Sequence, residues 1–144
     1  MKLVSLLFSF EGRVGRGQFW LAAAIYVAVA LVIVAASLAA DSSAVSIVLQ
    51  LALGIPCLVS LVAVGIKRLH DRDKSAWWLL VFYLVPLTTF SWANGMQDGA
   101  PQTTLSTFGL SVLLWALVEL GCLRGTIGGN PYGPDPVAPK PAVH

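Results

Sequence analysis

A chain of 144 residues is one domain's worth of sequence, yet 57% of it is hydrophobic and only 11% charged, where soluble globular domains run at roughly 45–50% and about 25%. Too few polar residues remain to cover a water-facing surface, so the excess apolar surface is expected to face lipid. The net charge of +2 is small, and the basic residues fall in three clusters separated by uncharged stretches, a pattern of membrane topology rather than of nucleic-acid binding.

The first residues, Lys2 followed by the apolar run 3–8, look superficially like a secretory leader. Glu11, Arg13 and Arg16 then interrupt the run and no small-residue cleavage site follows it, so a cleaved signal peptide is not expected. Leu3, Leu6, Leu7 and Phe10 fall on one helical face and Lys2, Ser5 and Ser9 on another, which predicts a short interfacial helix before the chain turns at Gly12.

Four uncharged stretches follow, at 19–40, 42–66, 75–96 and 103–118, the last continuing through Glu119 to Leu123. A bilayer core of about 30 Å needs about 20 helical residues, so each stretch is long enough to span. The alternation that barrel strands require is missing, which leaves helices to satisfy the backbone in lipid. The expected fold is therefore an all-α membrane protein of four transmembrane helices in two hairpins. They run at about 18–40, 43–66, 76–94 and 103–123, forming a domain over 1–124 with a Gly/Pro-rich cytoplasmic tail at 125–144.

Orientation comes from the basic residues. Lys2, Arg13 and Arg16 precede the first span, Lys67, Arg68, Arg72 and Lys74 separate the second from the third, and Arg124 and Lys140 follow the fourth. The loops around Asp41 and over 94–102 hold no lysine or arginine. The positive-inside rule then predicts both termini in the cytoplasm of a multi-pass protein of the bacterial inner membrane.

Finer features agree. Phe19 and Trp20 open the first span, Trp77 and Trp78 open the third and Trp92 closes it, each at headgroup depth. Arg16 with Phe19 and Trp20, and Lys74 with Trp77 and Trp78, form a weak repeat that would relate two parallel hairpins. The small residues Ala22, Ala23, Ala24, Ala28, Ala30, Ala35 and Ala36 suit the centre of a bundle or a dimer face, or simply a lipid-facing helix. Pro56 and Pro86 each remove a hydrogen bond within a span. The glycines and prolines from Gly125 to Pro141 predict an ordered turn followed by a disordered end. Cys57 and Cys122 lie in apolar runs with no paired cysteine spacing, and are read as packing residues, with neither disulfide nor metal site implied.

Chemistry concentrates at 67–74, where seven of eight residues are charged or ionisable. Three ordered motifs carry a family resemblance over nearly the whole chain. They are Phe10-Glu11-Gly12-Arg13-Val14-Gly15-Arg16-Gly17-Gln18-Phe19-Trp20, the run from Arg68-Leu69-His70-Asp71 through Trp78, and Gly128-Gly129-Asn130-Pro131-Tyr132-Gly133-Pro134-Asp135-Pro136. With these the chain resembles the bacterial inner-membrane proteins catalogued as domain of unknown function 805. The resemblance implies a small multi-helix membrane protein without an established catalytic activity. It departs from the family pattern at Gly17 and Gln18, and at Arg72 and Asp73.

Physically, Arg13, Arg16, Arg68, Arg72 and Lys74 could frame a pocket for a lipid phosphate, and each basic group at the headgroup level is worth about 1 kcal/mol of attraction to an anionic leaflet. The plainer reading is that these charges set topology and pair with Glu11, Asp71 and Asp73. The candidate lipid- or partner-binding face is thus Arg13, Arg16, Arg68, His70, Asp71, Arg72, Lys74, Trp77, Trp78 and Asn130.

His70 beside Asp71 suggests an imidazole oriented by a carboxylate rather than a metal pair, because the only other histidine is His144. Glu119 is the one acidic residue inside a span and is expected to pair with an arginine from a cytoplasmic loop. Gly128 to Gly133 lacks the lysine, serine and helix of a phosphate loop. No catalytic set, metal or cofactor is assigned. The leading expectation is a non-enzymatic bundle whose basic cytoplasmic face binds anionic phospholipid or a partner membrane protein. A homo-oligomeric transporter or channel lined by Glu119 is second, and a lipid-headgroup enzyme using His70 and Asp71 is third.

Overall fold

The structure, a computed structural model, describes residues 3–39 and 43–138. Among the described residues the regular elements are helices, without strands. Helix α1 is Leu3–Phe8, α2 Arg16–Ala39, α3 Ser43–Asp71, α4 Trp78–Asn94 and α5 Ala100–Leu117, the last running into a π-helical turn, Val118–Cys122. By length and apolarity, α2, α3 and the run Ala100–Cys122 can cross a membrane, while α4 is apolar but shorter at 17 residues. The loop expected around Asp41, and Lys2, Lys140 and His144, lie outside the described residues.

Packing joins α2 to α3 and α4 to α5, so the chain is two hairpins. Between the hairpins, α3 touches α4, and the π turn touches α2 and α3. Within the second hairpin Gly109 makes the close approach possible, because a Cβ there would overlap Thr89 Oγ1. The apolar core is a cluster of Leu69, Leu79, Phe82, Ala116 and Leu120, backed by Phe19, Ile66, Val81 and Tyr83. Edge-on contacts of Trp115 with Trp78 and Phe82 extend it, at centroid separations of 5.5 and 5.1 Å. This core sits where the start of α2, the end of α3, the start of α4 and the end of α5 meet.

Away from that point the helices turn leucine, valine and isoleucine outward, among them Leu31, Val34, Leu38, Ile47, Leu51, Leu58 and Leu114. The distribution suits a chain solvated by lipid, in which outward apolar side chains carry no hydration penalty, and the buried charged groups lie at the same end as the apolar core. Ala22 is buried but Ala24, Ala28, Ala30 and Ala35 are exposed, so the small residues do not place α2 at the centre of the bundle.

One boundary differs from the sequence reading. Lys67, Arg68, His70 and Asp71 were expected in a loop, but α3 stays helical through Asp71. At about 1.5 Å per residue its 29 residues reach about 44 Å, well past a hydrocarbon core of about 30 Å. Apolarity ends where lipid ends, whereas the helix continues for as long as its backbone and side chains find partners.

Candidate functional site: an arginine-locked end

All the basic residues among those described gather at the end where the core lies. Arg68 and Lys67 are the largest fully buried side chains described, and Arg13, Asp71 and Glu119 are buried beside them. Burying a charge is costly unless it is paired and hydrogen-bonded; here Arg13, Arg68, Asp71 and Glu119 are ion-paired, and Lys67 is hydrogen-bonded to backbone carbonyls.

Asp71 is the centre. One carboxylate oxygen takes the Arg13 guanidinium at 3.0 Å, and the other takes Arg68. Gly125 lies so close that a Cβ at that position would overlap the carboxylate. Arg13 spends its remaining donors on the carbonyls of Thr126, Gly128 (2.6 Å) and Gly133 (3.3 Å). A single side chain in the first motif thereby shapes the glycine-rich turn of the third.

The rest of the site closes two helix ends. The last carbonyls of an α-helix lack partners and carry the negative end of its dipole. At the end of α5 and its π turn, five successive carbonyls accept side-chain donors. Arg68 takes Leu120 and Leu123, Trp20 Nε1 takes Gly121 at 3.0 Å, Arg16 takes Cys122 at 3.2 Å, and Arg72 takes Arg124. At the end of α3 the carbonyl of Lys67 accepts from the Val14 amide at 3.3 Å, that of His70 from Asn130 Nδ2 at 2.8 Å, and that of Asp71 from the Thr126 amide at 2.8 Å. Lys67 in turn reaches the end of α1, donating to the carbonyls of Ser5 (3.0 Å) and Leu6. The chain enters this arrangement through a turn at Gly12, whose φ of +90° suits glycine.

Glu119, on the first turn of the π segment, is held by Arg72 Nε at 3.1 Å and Lys74 Nζ at 2.9 Å. Lys74 also lies 5.2 Å from the centre of the Trp78 ring, and Trp77 beside it is exposed. Unlike Arg13 and Arg68, the side chains of Arg72 and Lys74 keep 23% and 29% of their exposure. Arg16 and Arg124 are exposed as well.

His70 corrects an expectation. Its ring stacks on Tyr132, with centroids 3.9 Å apart and planes within 6°, while the Asp71 carboxylate serves the arginines. Adjacent helical residues diverge by about 100°, so neighbours in sequence do not become partners in space. Among the described residues no group of three His, Cys, Asp or Glu converges to hold a metal.

A cavity of about 110 Å³ opens in this end, lined by Gly15, Arg16, Asp71, Arg124, Gly125, Asp135 and Val137. Asp135 is fixed there by two backbone amides, of Val137 at 2.9 Å and Gly128 at 3.2 Å. These bonds, with Arg13 and Arg124 nearby, hold its carboxyl below the usual value.

Of the residues singled out from the sequence, Arg13, Arg16, Arg68, His70, Asp71, Arg72, Lys74, Trp78 and Asn130 do converge here, with Trp77 turned outward. Sequence reasoning missed the structural parts played by Lys67, Trp20, Gly125 and Thr126. Lys67 was visible only as one more topological charge, and a backbone carbonyl leaves no trace in a sequence.

Comparison with known proteins matches residues 7–134 to the family described as Protein of unknown function (DUF805). In Escherichia coli K12, the chain is 36% identical over 141 residues to "Uncharacterized protein YiiR", covering 94% of this chain and 90% of that protein. It is 30% identical over 129 residues to "Inner membrane protein YhaI", covering 88% and 85%, and 26% identical over 138 residues to "Inner membrane protein YhaH", covering 94% and 93%. No solved structure matches.

Proposed function

The chain belongs to the DUF805 family of proteins of unknown function, and on that premise we propose that it is an integral inner-membrane protein that binds anionic phospholipid at its basic end. In this reading α2, α3, α4 and α5 each cross the bilayer, both termini are cytoplasmic, and the protein acts by binding rather than by catalysis. The observation that carries it is the gathering of every described lysine and arginine at one end of an otherwise apolar bundle.

That end has two layers of charge. Arg13, Arg68 and Lys67 are consumed inside by Asp71 and by carbonyls, and serve the fold. Arg16, Arg72, Lys74 and Arg124 keep exposed surface at the level of Trp20 and Trp78, where aromatic rings favour headgroups. Each of these is worth about 1 kcal/mol against an anionic leaflet. Glu119 is held by Arg72 and Lys74, which supports a structural role for it over one in a transport pathway.

Two measurements test the proposal. Fluorescent-protein and alkaline-phosphatase fusions at each terminus should report cytoplasm at both, and phosphatase activity at either end rejects the topology. Native mass spectra of the protein from mixed nanodiscs should retain phosphatidylglycerol or cardiolipin over phosphatidylcholine. Equal retention rejects the lipid preference.

A further inference from the structure

Resting on the reading of a lipid-binding basic end, we infer that the cavity between Arg16 and Arg124 is a phosphate-binding site, and that the Asp135 carboxylate is its built-in competitor. The cavity lies where the first turn of α2 faces the segment that follows the π turn. Its volume, about 110 Å³, is several times the roughly 10–15 Å³ one water needs, so a tetrahedral oxyanion has room.

The charge around it favours an anion. Asp71 in its lining is already shared by Arg13 and Arg68, which leaves Arg16 and Arg124 with Asp135, whose carboxylate accepts backbone amides rather than a guanidinium. Arg16 gives one N–H to the Cys122 carbonyl, and a guanidinium has five to give. Forked donors of this kind suit phosphate oxygens, which accept bidentate, charge-assisted bonds.

Asp135 stands in the same lining on a different footing. Both its oxygens accept backbone amides of its own segment, from Val137 and Gly128. It is therefore held in the lining, near Arg124, by a turn rather than by a long flexible side chain. The turn itself rests on the body of the protein, since Pro136 and Val137 pack over Gly15 and Arg13 binds the Gly128 and Gly133 carbonyls. A phosphate entering the cavity meets a resident carboxylate, and removing that charge should admit it more readily.

The ligand chemistry is a phosphate group, which a lipid headgroup or free phosphate can supply. The full chain in neutral detergent is titrated with short-chain phosphatidylglycerol, short-chain phosphatidylcholine and inorganic phosphate, and binding is read by native mass spectrometry. Arg16→Gln and Arg124→Gln should each weaken phosphatidylglycerol binding at least about tenfold, the scale of one charge-assisted bond pair. Asp135→Asn should strengthen it. Binding of inorganic phosphate alone, with the same dependence on Arg16 and Arg124, assigns the site to a soluble anion.

Unchanged binding in both arginine variants, each melting at the wild-type temperature, overturns the site while leaving the lipid-binding end intact. No preference for phosphatidylglycerol in the wild-type protein overturns the broader reading instead. Weaker or unchanged binding in Asp135→Asn at wild-type melting temperature overturns the competitor role.

Discussion

The Asp71 carboxylate occupies the space that a side chain at position 125 would need, so Asp71 and Gly125 are in direct contact across 54 positions of sequence. Gly125→Ala therefore pushes the carboxylate away from Arg13 and Arg68, an overpacking cost of about 1–3 kcal/mol. Thermal unfolding in detergent should show a lowered Tm. Gly17→Ala, with open space around its Cβ, should stay within about 0.5 kcal/mol of wild type.

Replacing Asp71 with Asn removes the counter-charge of two buried guanidinium groups at once. Breaking a buried ion pair from one side typically costs about 3–5 kcal/mol. The variant should unfold at a markedly lower temperature, or fail to accumulate in membranes, as judged by immunoblot of the membrane fraction.

Glu119→Gln should be milder although Glu119 is also buried, because Arg72 and Lys74 keep part of their exposure and can rehydrate. A cost near 1 kcal/mol is expected. The ordering of the two carboxylate variants in one melting series is the check, with Asp71→Asn the more damaging.

Lys67→Met keeps the apolar stem and deletes the ammonium that holds the Ser5 and Leu6 carbonyls. α1 should loosen while the hairpins remain. Hydrogen exchange over residues 3–10 should speed up by about tenfold or more, the effect of losing one charge-assisted hydrogen bond.

Acid should release the turn around Asp135. Its carboxyl titrates below the usual value because the Val137 and Gly128 amides, with Arg13 and Arg124, favour the charged form. A depressed folded-state pKa stabilises docking above the ordinary carboxylate value, and that contribution is lost as pH falls through the folded-state pKa. Protease cleavage within 126–138 should rise on acidification in the wild-type chain. In Asp135→Asn the pH dependence should flatten.

Much of this was legible in advance. The uncharged runs marked α2 to α5 because a helix in lipid must be apolar for about 20 residues, and the turn at Gly12 and the break after Arg124 followed from glycine, proline and charge. The candidate residues, apart from the outward-turned Trp77, lie together at one end, since charge that survives in so apolar a chain has to be accommodated somewhere. What hydropathy hid was the direction each side chain takes. Arg13 and Arg68 face inward because Asp71 and free helix-end carbonyls wait there, while Arg16 and Arg124 line the cavity. Hydropathy also ended α3 at Ile66, because it measures compatibility with lipid and not the reach of a backbone. The π turn had no signal in Val118 to Cys122 at all.

The long reach of Arg13 bears on how the protein is made. Its acceptors at Thr126, Gly128 and Gly133 lie 113, 115 and 120 residues downstream, so the ribosome must deliver nearly everything matched to the family before the first arginine finds them. Until then Arg13 has its counter-charge, Asp71, from the opening hairpin, but not the downstream carbonyls that complete its bonding. A nascent chain stalled after α4 would leave those donors, and the Arg68 and Arg72 donors that serve the end of α5, without their carbonyl acceptors, which makes biogenesis a stage at which this architecture is vulnerable.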